Sequence, residues 1–440
     1  MQTLNLLKPL KVGLLGLGIV GTGTIEVLRR NQVEIARRAG REIIITHATA
    51  RDVTKPRGTS LDGITVVTDP QIIINHPEID VVCELIGGDT FTKTLVLQAI
   101  AAGKHVVTAN KALLAKYGTE IFAAAEAKGV SVSFEAAVAG GVPIIKALRE
   151  GVAANKVEWI AGIINGTSNF ILSEMRDKGA NFADVLAQAQ ALGYAEADPT
   201  FDIEGVDAAH KLTILAAIGF GVPVQFDRAF TEGISKLTDT DIKYAEQLGY
   251  RIKLIGFARR TAEGIELRVH PTLIPAQRLI ANVEGVMNAV MVKGDAMGVS
   301  LYYGRGAGSE PTASAVVADL VDVARMLGAN AANRVPHLAF REMDNTPILP
   351  MEKVVTANYL RLSAFDKPGV MANVTRILAE NSISISAMLQ KEAKAGENVA
   401  DVVIITHRCV EADANRAIKA IEALETIAQK VVRIRLEDLV

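Results

Sequence analysis

The chain has 440 residues, 49% of them hydrophobic, and a formal net charge of −2. Those totals exclude a disordered or fibrous chain and predict about two to four globular domains around large cores. Near-neutral charge without a basic block argues against nucleic acid as a partner, and no apolar run approaches the roughly 18 to 20 residues that cross a membrane.

The two cysteines, Cys83 and Cys409, lie far apart in apolar runs and read as buried free thiols of a reducing compartment. The N-terminal stretch lacks the charged start and cleavage site of a secretory signal. The expected location is the cytoplasm.

Residues 11–15 form a short apolar run, expected to be a buried strand. It feeds into Gly16-Leu17-Gly18-Ile19-Val20-Gly21 and then a helix to residue 30. Glycines at that spacing, between strand and helix, allow a tight turn, a close approach of backbone to a pyrophosphate, and helix–strand packing. Further strands are expected at 42–50, 81–86 and 105–108, with helices at 90–102 and 112–128. Such alternation predicts a parallel sheet covered on both faces, with ligands at the carboxyl ends of its strands. That rim would carry Gly16 to Gly21, Arg51, Gly87, Gly88 and Lys111.

The second strand ends in Ala50-Arg51-Asp52. An acid there suits the ribose hydroxyl of NAD(H), an arginine the 2′-phosphate of NADP(H). Arg51 favours NADP(H), with NAD(H) and a merely solvated Arg51 as the alternatives. Lys111 stands at a helix N-terminus, where the helix dipole disfavours a cation, so it needs an anionic partner or a task.

A strand at 131–135 leads into the small-residue turn 136–143, which either packs backbone tightly or turns carbonyls toward a hard cation. A helix over 144–150 and a strand over 157–164 follow. Asn165, Thr167, Ser168 and Asn169 then crowd one loop. One of the last three is expected to cap the next helix, and the rest to serve recognition. Glu196, Asp198, Asp202 and Glu204 make an acidic loop before a helix with Asp207, His210 and Lys211 ahead of an apolar run. Asp207 and Lys211 share a helix face, either as a surface ion pair or as a desolvated proton donor and its partner. A helix is expected near 239–247 and strands at 253–259 and 266–271. The stretch Gly304-Arg305-Gly306-Ala307-Gly308-Ser309 precedes a helix over 313–327, as a second phosphate-cradling loop or a connector.

Past a connector at 329–355, a period-2 strand at 359–364 opens the order βαββαβ, with a hinge at 394–397, a last helix over 411–427 and a last strand over 431–436. Its first loop reads Asp366-Lys367-Pro368-Gly369-Val370. The segment resembles an ACT domain, a module that commonly binds amino acids and pairs with itself. The whole chain resembles monofunctional bacterial homoserine dehydrogenases. The glycine loop, Asn110-Lys111-Ala112, Asn165 to Asn169, Gly193 to Pro199 and Asp207-Ala208-Ala209-His210-Lys211 carry that resemblance.

The resemblance implies an α/β fold of four parts: a Rossmann-type dinucleotide-binding domain at 1–135, a substrate-binding and dimerisation domain at 136–328, the connector, and a ferredoxin-like ACT domain at 356–440. It implies reversible NAD(P)H-dependent reduction of L-aspartate 4-semialdehyde to L-homoserine. Lys211 would donate the proton with Asp207 as partner, Lys111 would assist, Glu196 would take the substrate ammonium, Thr167 would line the pocket, and Gly306 would lie near the cofactor. A sodium ion on backbone oxygens of Glu135, Val138, Gly140 and Val142, threonine as effector, and a homodimer or homotetramer are implied too. Deleting the ACT segment is expected to leave catalysis intact. The competing readings are a non-catalytic sensor and a dehydrogenase of another semialdehyde or 3-hydroxy substrate.

Overall fold

A computed structural model of the protein describes residues 7–328, 334–390 and 398–440; the expected hinge and the start of the connector lie outside them. The strands in chain order are β1 (Leu7–Leu15), β2 (Arg41–Thr49), β3 (Thr65–Val67), β4 (Val81–Glu84), β5 (His105–Thr108), β6 (Val132–Ser133) and β7 (Val157–Ile163). Then come β8 (Phe230–Thr231), β9 (Tyr250–Arg260), β10 (Ile265–Pro275), β11 (Met287–Gly294) and β12 (Gly298–Arg305). The last are β13 (Val355–Phe365), β14 (Ile385–Gln390), β15 (Val399–Thr406), β16 (Cys409–Val410) and β17 (Val432–Leu436). The chain divides into two compact units.

The first unit takes Met1–Gly166, His210–Asp227 and Met287–Thr346. Its main sheet has the order β3-β2-β1-β4-β5-β6, every pair parallel. Leu10, Val12, Leu14 and Leu15 on β1 are wholly buried, as expected of a strand covered on both faces. Strand order reverses at β1, between β2 and β4, and the carboxyl ends there form the crevice in which doubly wound sheets bind ligands. The helix Ser309–Met326 packs on the helix Ile19–Arg30, and Ala313, Val316 and Leu320 join Val12, Leu14 and Val107 in one core. A segment distant in sequence thus completes the layer over the parallel sheet.

The expected strand at 131–135 shrinks to β6, and Glu135–Ala137 forms a 3₁₀ turn. The cause is the Glu135 side chain, which accepts the N–H groups of Ile145 and Lys146 at 2.9 Å each and draws the chain off the sheet. The helix expected over 144–150 is one α turn, Ile144–Lys146, that widens to π-type pairing over Ala147–Gly151. A separate antiparallel group, β12-β11-β7, also belongs to this unit. The β11–β12 hairpin was not anticipated.

The second unit takes Thr167–Ala209, Arg228–Val286 and Pro347–Val440. Strands β9 and β10 pair antiparallel along their whole length, and β17 then joins β10 in parallel, Thr272 opposite Arg435 and Leu273 opposite Leu436. From β17 the order continues β13, β15, β14, all antiparallel. This is the expected ferredoxin-like order. Val370, Val374, Ile377 and Leu378 of the helix Val370–Glu380 meet Ala414, Ala417 and Ile421 of the helix Glu411–Glu422 in its core. The second of these helices ends short of the expected residue 427.

The C-terminal module is therefore continuous with the β9–β10 sheet, and charge is buried along the seam. Arg268 is paired with Glu266 and Glu437, and Arg435 with Glu411 and Glu232. His270, also buried, is held neutral by desolvation and by the neighbouring Arg435 and Arg268. Buried ions are tolerated only when paired and hydrogen-bonded, so these partners are obligatory to one another.

Candidate functional site

In the first unit the glycine turn stands at the switch point. Gly16 has φ +112°, and a Cβ there would lie 2.9 Å from Leu85 O. A Cβ on Gly21 would lie 2.2 Å from Gly16 O, so the helix Ile19–Arg30 runs close beneath the turn. Gly18 caps that helix, and a Cβ on it would meet open space. One glycine makes the turn, one admits the helix, and one leaves the helix N-terminus uncovered. That cradle fits a pyrophosphate.

Leu17 is buried and its carbonyl accepts from Arg57 at 2.9 Å, so toward a ligand it offers main chain only. Ile19 is 74% exposed and Val20 half-buried. Ser309 Oγ donates to Ile19 O at 2.9 Å, which brings the second glycine-rich stretch against the first. Within that stretch Gly306 makes room for the Asn288 side chain, 2.1 Å from where a Cβ would stand.

Arg51 is exposed beyond the end of β2. Asp52 accepts the backbone N–H of Thr54 at 2.9 Å and its hydroxyl at 2.6 Å, and that hydroxyl holds its carboxyl below the ordinary range. The acid of this strand end is thus committed to a local turn. Gly87 and Gly88 follow β4 with φ of 79° and 78°. Lys111 is the first residue of the helix Lys111–Lys128, whose N-cap Asn110 accepts from Leu113 N–H at 3.0 Å.

At the small-residue turn Ala139 and Gly140 take left-handed φ of 55° and 43° in succession. The Glu135 carboxylate already serves two N–H groups, and Val142 O accepts from Ile144 N–H at 2.7 Å. Asp319 Oδ2 accepts from Glu135 N–H at 2.8 Å, and burial, with Glu135 beside it, lifts the Asp319 carboxyl to about 8. Lys211 is half-buried, and its Nζ donates to Ile164 O at 2.7 Å, just past the end of β7. His210 packs edge-on to Phe226, 4.2 Å between ring centroids.

In the second unit the helix Gly166–Lys178 starts earlier than expected, so Thr167, Ser168 and Asn169 lie in its first turn and none is its cap. Their side chains tie loops together. Thr167 Oγ1 donates to Tyr194 O at 2.6 Å, Ser168 Oγ to Asp202 O at 3.0 Å, and Asn169 Nδ2 to Val283 O and Gly285 O. Two of the three thus anchor the acidic loop. Glu196 in that loop is exposed, and Gln190 Nε2 holds its carbonyl at 3.1 Å. Asp198 accepts from Thr200 N–H at 3.1 Å, an ordinary helix-start contact. Asp207 is 3% exposed in the first turn of the helix Val206–Phe220, the end at which a helix favours an acid. Lys211 stands one turn further along that helix. In the C-terminal module Asp366 and Pro368 are exposed, Gly369 caps the helix Val370–Glu380 at φ 88°, and Val370 is buried.

Sequence reasoning missed Glu84, Arg57 and Asp319. Only Glu84 left a trace, as an acid ending an apolar strand. A cavity of about 660 Å³ in the first unit, lined by Phe122, Arg149, Arg334, His337 and their neighbours, contains none of the candidate residues. Among the described residues no cluster of three His, Cys, Asp or Glu side chains could hold a metal ion, no helix is long and apolar enough to cross a membrane, and Cys83 and Cys409 are buried free thiols.

A family model described as the NAD binding domain of homoserine dehydrogenase matches residues 16–135, a homoserine dehydrogenase model matches 143–321, and an ACT domain model matches 358–426. The chain is 62% identical over 436 residues to a homoserine dehydrogenase of Pseudomonas aeruginosa, covering 98% of this chain and 100% of that one. It is 39% identical over 425 residues to that of Bacillus subtilis, covering 96% and 97%. The crystal structure of a homoserine dehydrogenase from Thiobacillus denitrificans matches with a TM-score of 0.94 at 66% identity, covering 98% of this chain and 99% of that one.

Proposed function

The chain belongs to the homoserine dehydrogenase family of NAD(P)-dependent oxidoreductases, and from that premise we propose that it interconverts L-aspartate 4-semialdehyde and L-homoserine, a step of threonine and methionine biosynthesis. Bound nicotinamide supplies the hydride in one direction and accepts it in the other. The glycine turn Gly16 to Gly21 holds the pyrophosphate on the helix N-terminus, with Gly87, Lys111 and Gly306 bordering the cofactor. Arg51 takes the 2′-phosphate of NADP(H), and the engagement of Asp52 with Thr54 supports that preference over NAD(H).

Lys211 gives a proton to the carbonyl oxygen on reduction and recovers it on oxidation. The observation that carries this role is the 2.7 Å hydrogen bond from its Nζ to Ile164 O, which fixes the ammonium at a strand end in the unit that holds the nucleotide sheet. Asp207 favours the charged lysine, Lys111 assists the proton transfer, Glu196 takes the substrate ammonium, and Thr167 shapes the pocket. Sodium on the main-chain oxygens of the Glu135–Val142 turn, threonine at the Asp366, Pro368, Gly369 and Val370 loop, and a dimer or tetramer in the cytoplasm complete the proposal.

The test is absorbance at the nicotinamide band with homoserine and NADP⁺, then NAD⁺, with and without threonine. Reduction slowed by threonine is expected. No reduction with either nucleotide would remove the proposed activity.

A further inference from the structure

Glu84 is an acid in a place built for apolar side chains. It ends β4 behind Val81, Val82 and Cys83 and is 0% exposed. No step of the proposed chemistry uses it. Acids are almost never wholly buried unless every oxygen is occupied, and here they are. Oε1 accepts from Ile86 N–H at 2.9 Å and Gly87 N–H at 3.0 Å, and Oε2 accepts from Thr108 Oγ1 at 2.7 Å.

The partners close a ring. Glu84 and Thr108 stand opposite each other in the β4–β5 register. Thr108 Oγ1 accepts from Asn110 N–H at 3.0 Å, Asn110 Nδ2 donates to Gly88 O at 2.7 Å, and Gly88 lies one residue past the N–H that Glu84 holds. Asn110 Oδ1 then caps the helix that begins with Lys111. The groups facing Glu84 donate: two backbone N–H groups, the Thr108 hydroxyl and the Asn110 side-chain amide. Burial raises the Glu84 carboxyl above its ordinary range, and these donors work against that rise. A glutamine could serve the two N–H groups, but its amide would donate to Thr108 Oγ1, so the hydroxyl would have to turn its own hydrogen away and the link would reverse.

We propose that Glu84 is the positioning residue of the nucleotide rim: through Thr108 and Asn110 it locks the Gly87–Gly88 turn to the start of the Lys111 helix and so sets the place of the Lys111 ammonium. The inference rests on the reading of Lys111 as a residue of the reaction. Because Lys111 opens its helix directly after the cap, an unlocked Asn110 lets its Cα wander. A displacement of about 1 Å at a reacting group costs up to roughly 100-fold in rate.

A double-mutant cycle on the full-length protein tests this: wild type, Glu84→Gln, Lys111→Ala and the double variant. Each is assayed for kcat and KM with homoserine and nucleotide, for NADPH affinity by nicotinamide fluorescence, and for Tm. Glu84→Gln is expected to lower kcat roughly 10- to 100-fold with Lys111 present and to add nothing once Lys111 is gone. Equal losses in both backgrounds, or unchanged kcat in Glu84→Gln, would overturn the inference while leaving the role of Lys111 standing. Unchanged turnover in Lys111→Ala would overturn both. Thr108→Val removes the same link without touching the acid. It is expected to repeat the non-additive pattern, and it decides the matter should Glu84→Gln fail to fold.

Discussion

Arg268, 0% exposed on β10, is ion-paired with Glu437, 3% exposed just beyond β17. The pair joins the β9–β10 strands to the C-terminal module inside one protein interior. Burial pushes the Glu437 carboxyl up, but Arg268, Arg259 and Arg408 outweigh that and leave it below the ordinary carboxylate value.

Glu437→Gln is therefore expected to cost stability. Arg268 keeps Glu266, which places the loss at the low end for a broken buried pair, about 3 kcal/mol at neutral pH. A carboxyl whose value is lowered by folding contributes fully above its unfolded value, near about 4.3, and loses that contribution as pH falls through the folded value. The gap in Tm between wild type and Glu437→Gln should accordingly narrow on acidification below that value. A gap that stays constant from neutral pH into that acidic range would detach Glu437 from acid unfolding.

The same seam bears on the expectation that deleting the C-terminal segment leaves catalysis intact. Removing residues 356–440 strips β17 from β10 and leaves Arg268 buried without Glu437. The truncated chain should lose Tm and solubility before any statement about inhibition can be drawn from it. A soluble truncation that keeps wild-type kcat would restore the view of a detachable module.

Lys211→Ala should reduce kcat by roughly 10² to 10⁴, the usual contribution of a positioned acid, while NADPH affinity stays within a few-fold. Lys211→Arg should be as inactive, since a guanidinium does not release its proton near neutral pH. Nucleotide titration beside the steady-state assay separates the two effects, and an active Arg variant would exclude proton donation from this position.

Arg51→Ala should lower kcat/KM with NADP⁺ by about 10- to 100-fold, the worth of a charge-assisted phosphate contact. Values with NAD⁺ should hardly move. Parallel losses with both nucleotides would assign Arg51 to the fold of the loop.

Gly18→Ala and Gly21→Ala should part company. The first places a methyl in open space at an ordinary φ of −83°, so Tm should hold while nucleotide affinity drops. The second drives a methyl to 2.2 Å from Gly16 O and should lower both. Thermal melts with and without NADPH distinguish them.

The glycine turn, the strand–helix alternation before it closes, and the βαββαβ tail were legible because each rests on local pattern: a spacing of glycines, a period of two, a loop sequence. What stayed hidden depends on chain segments meeting from afar. The helix Ser309–Met326 covers the nucleotide sheet although its sequence neighbours pair elsewhere. Thr167, Ser168 and Asn169 read as a cap because capping residues are local signals, yet their partners lie at Tyr194, Asp202, Val283 and Gly285. Glu84 could have been noticed as an acid in an apolar strand, but no spacing rule leads from it to Thr108.

The pairing of β17 with β10 also bears on how the chain is made. Arg268 and Glu437 are 169 residues apart, so β17 is synthesised long after the β10 strand it joins. Until β17 arrives, β10 is covered by β8 only at Arg268 and Val269, its edge at Thr272 and Leu273 is open, and Arg268 has no Glu437. Long-range closure of this kind is slow, and an open strand edge invites pairing with other chains. The nascent protein is thus most exposed to aggregation in the interval before β17 emerges, and the docking of β17 on β10 is the event that seals that seam.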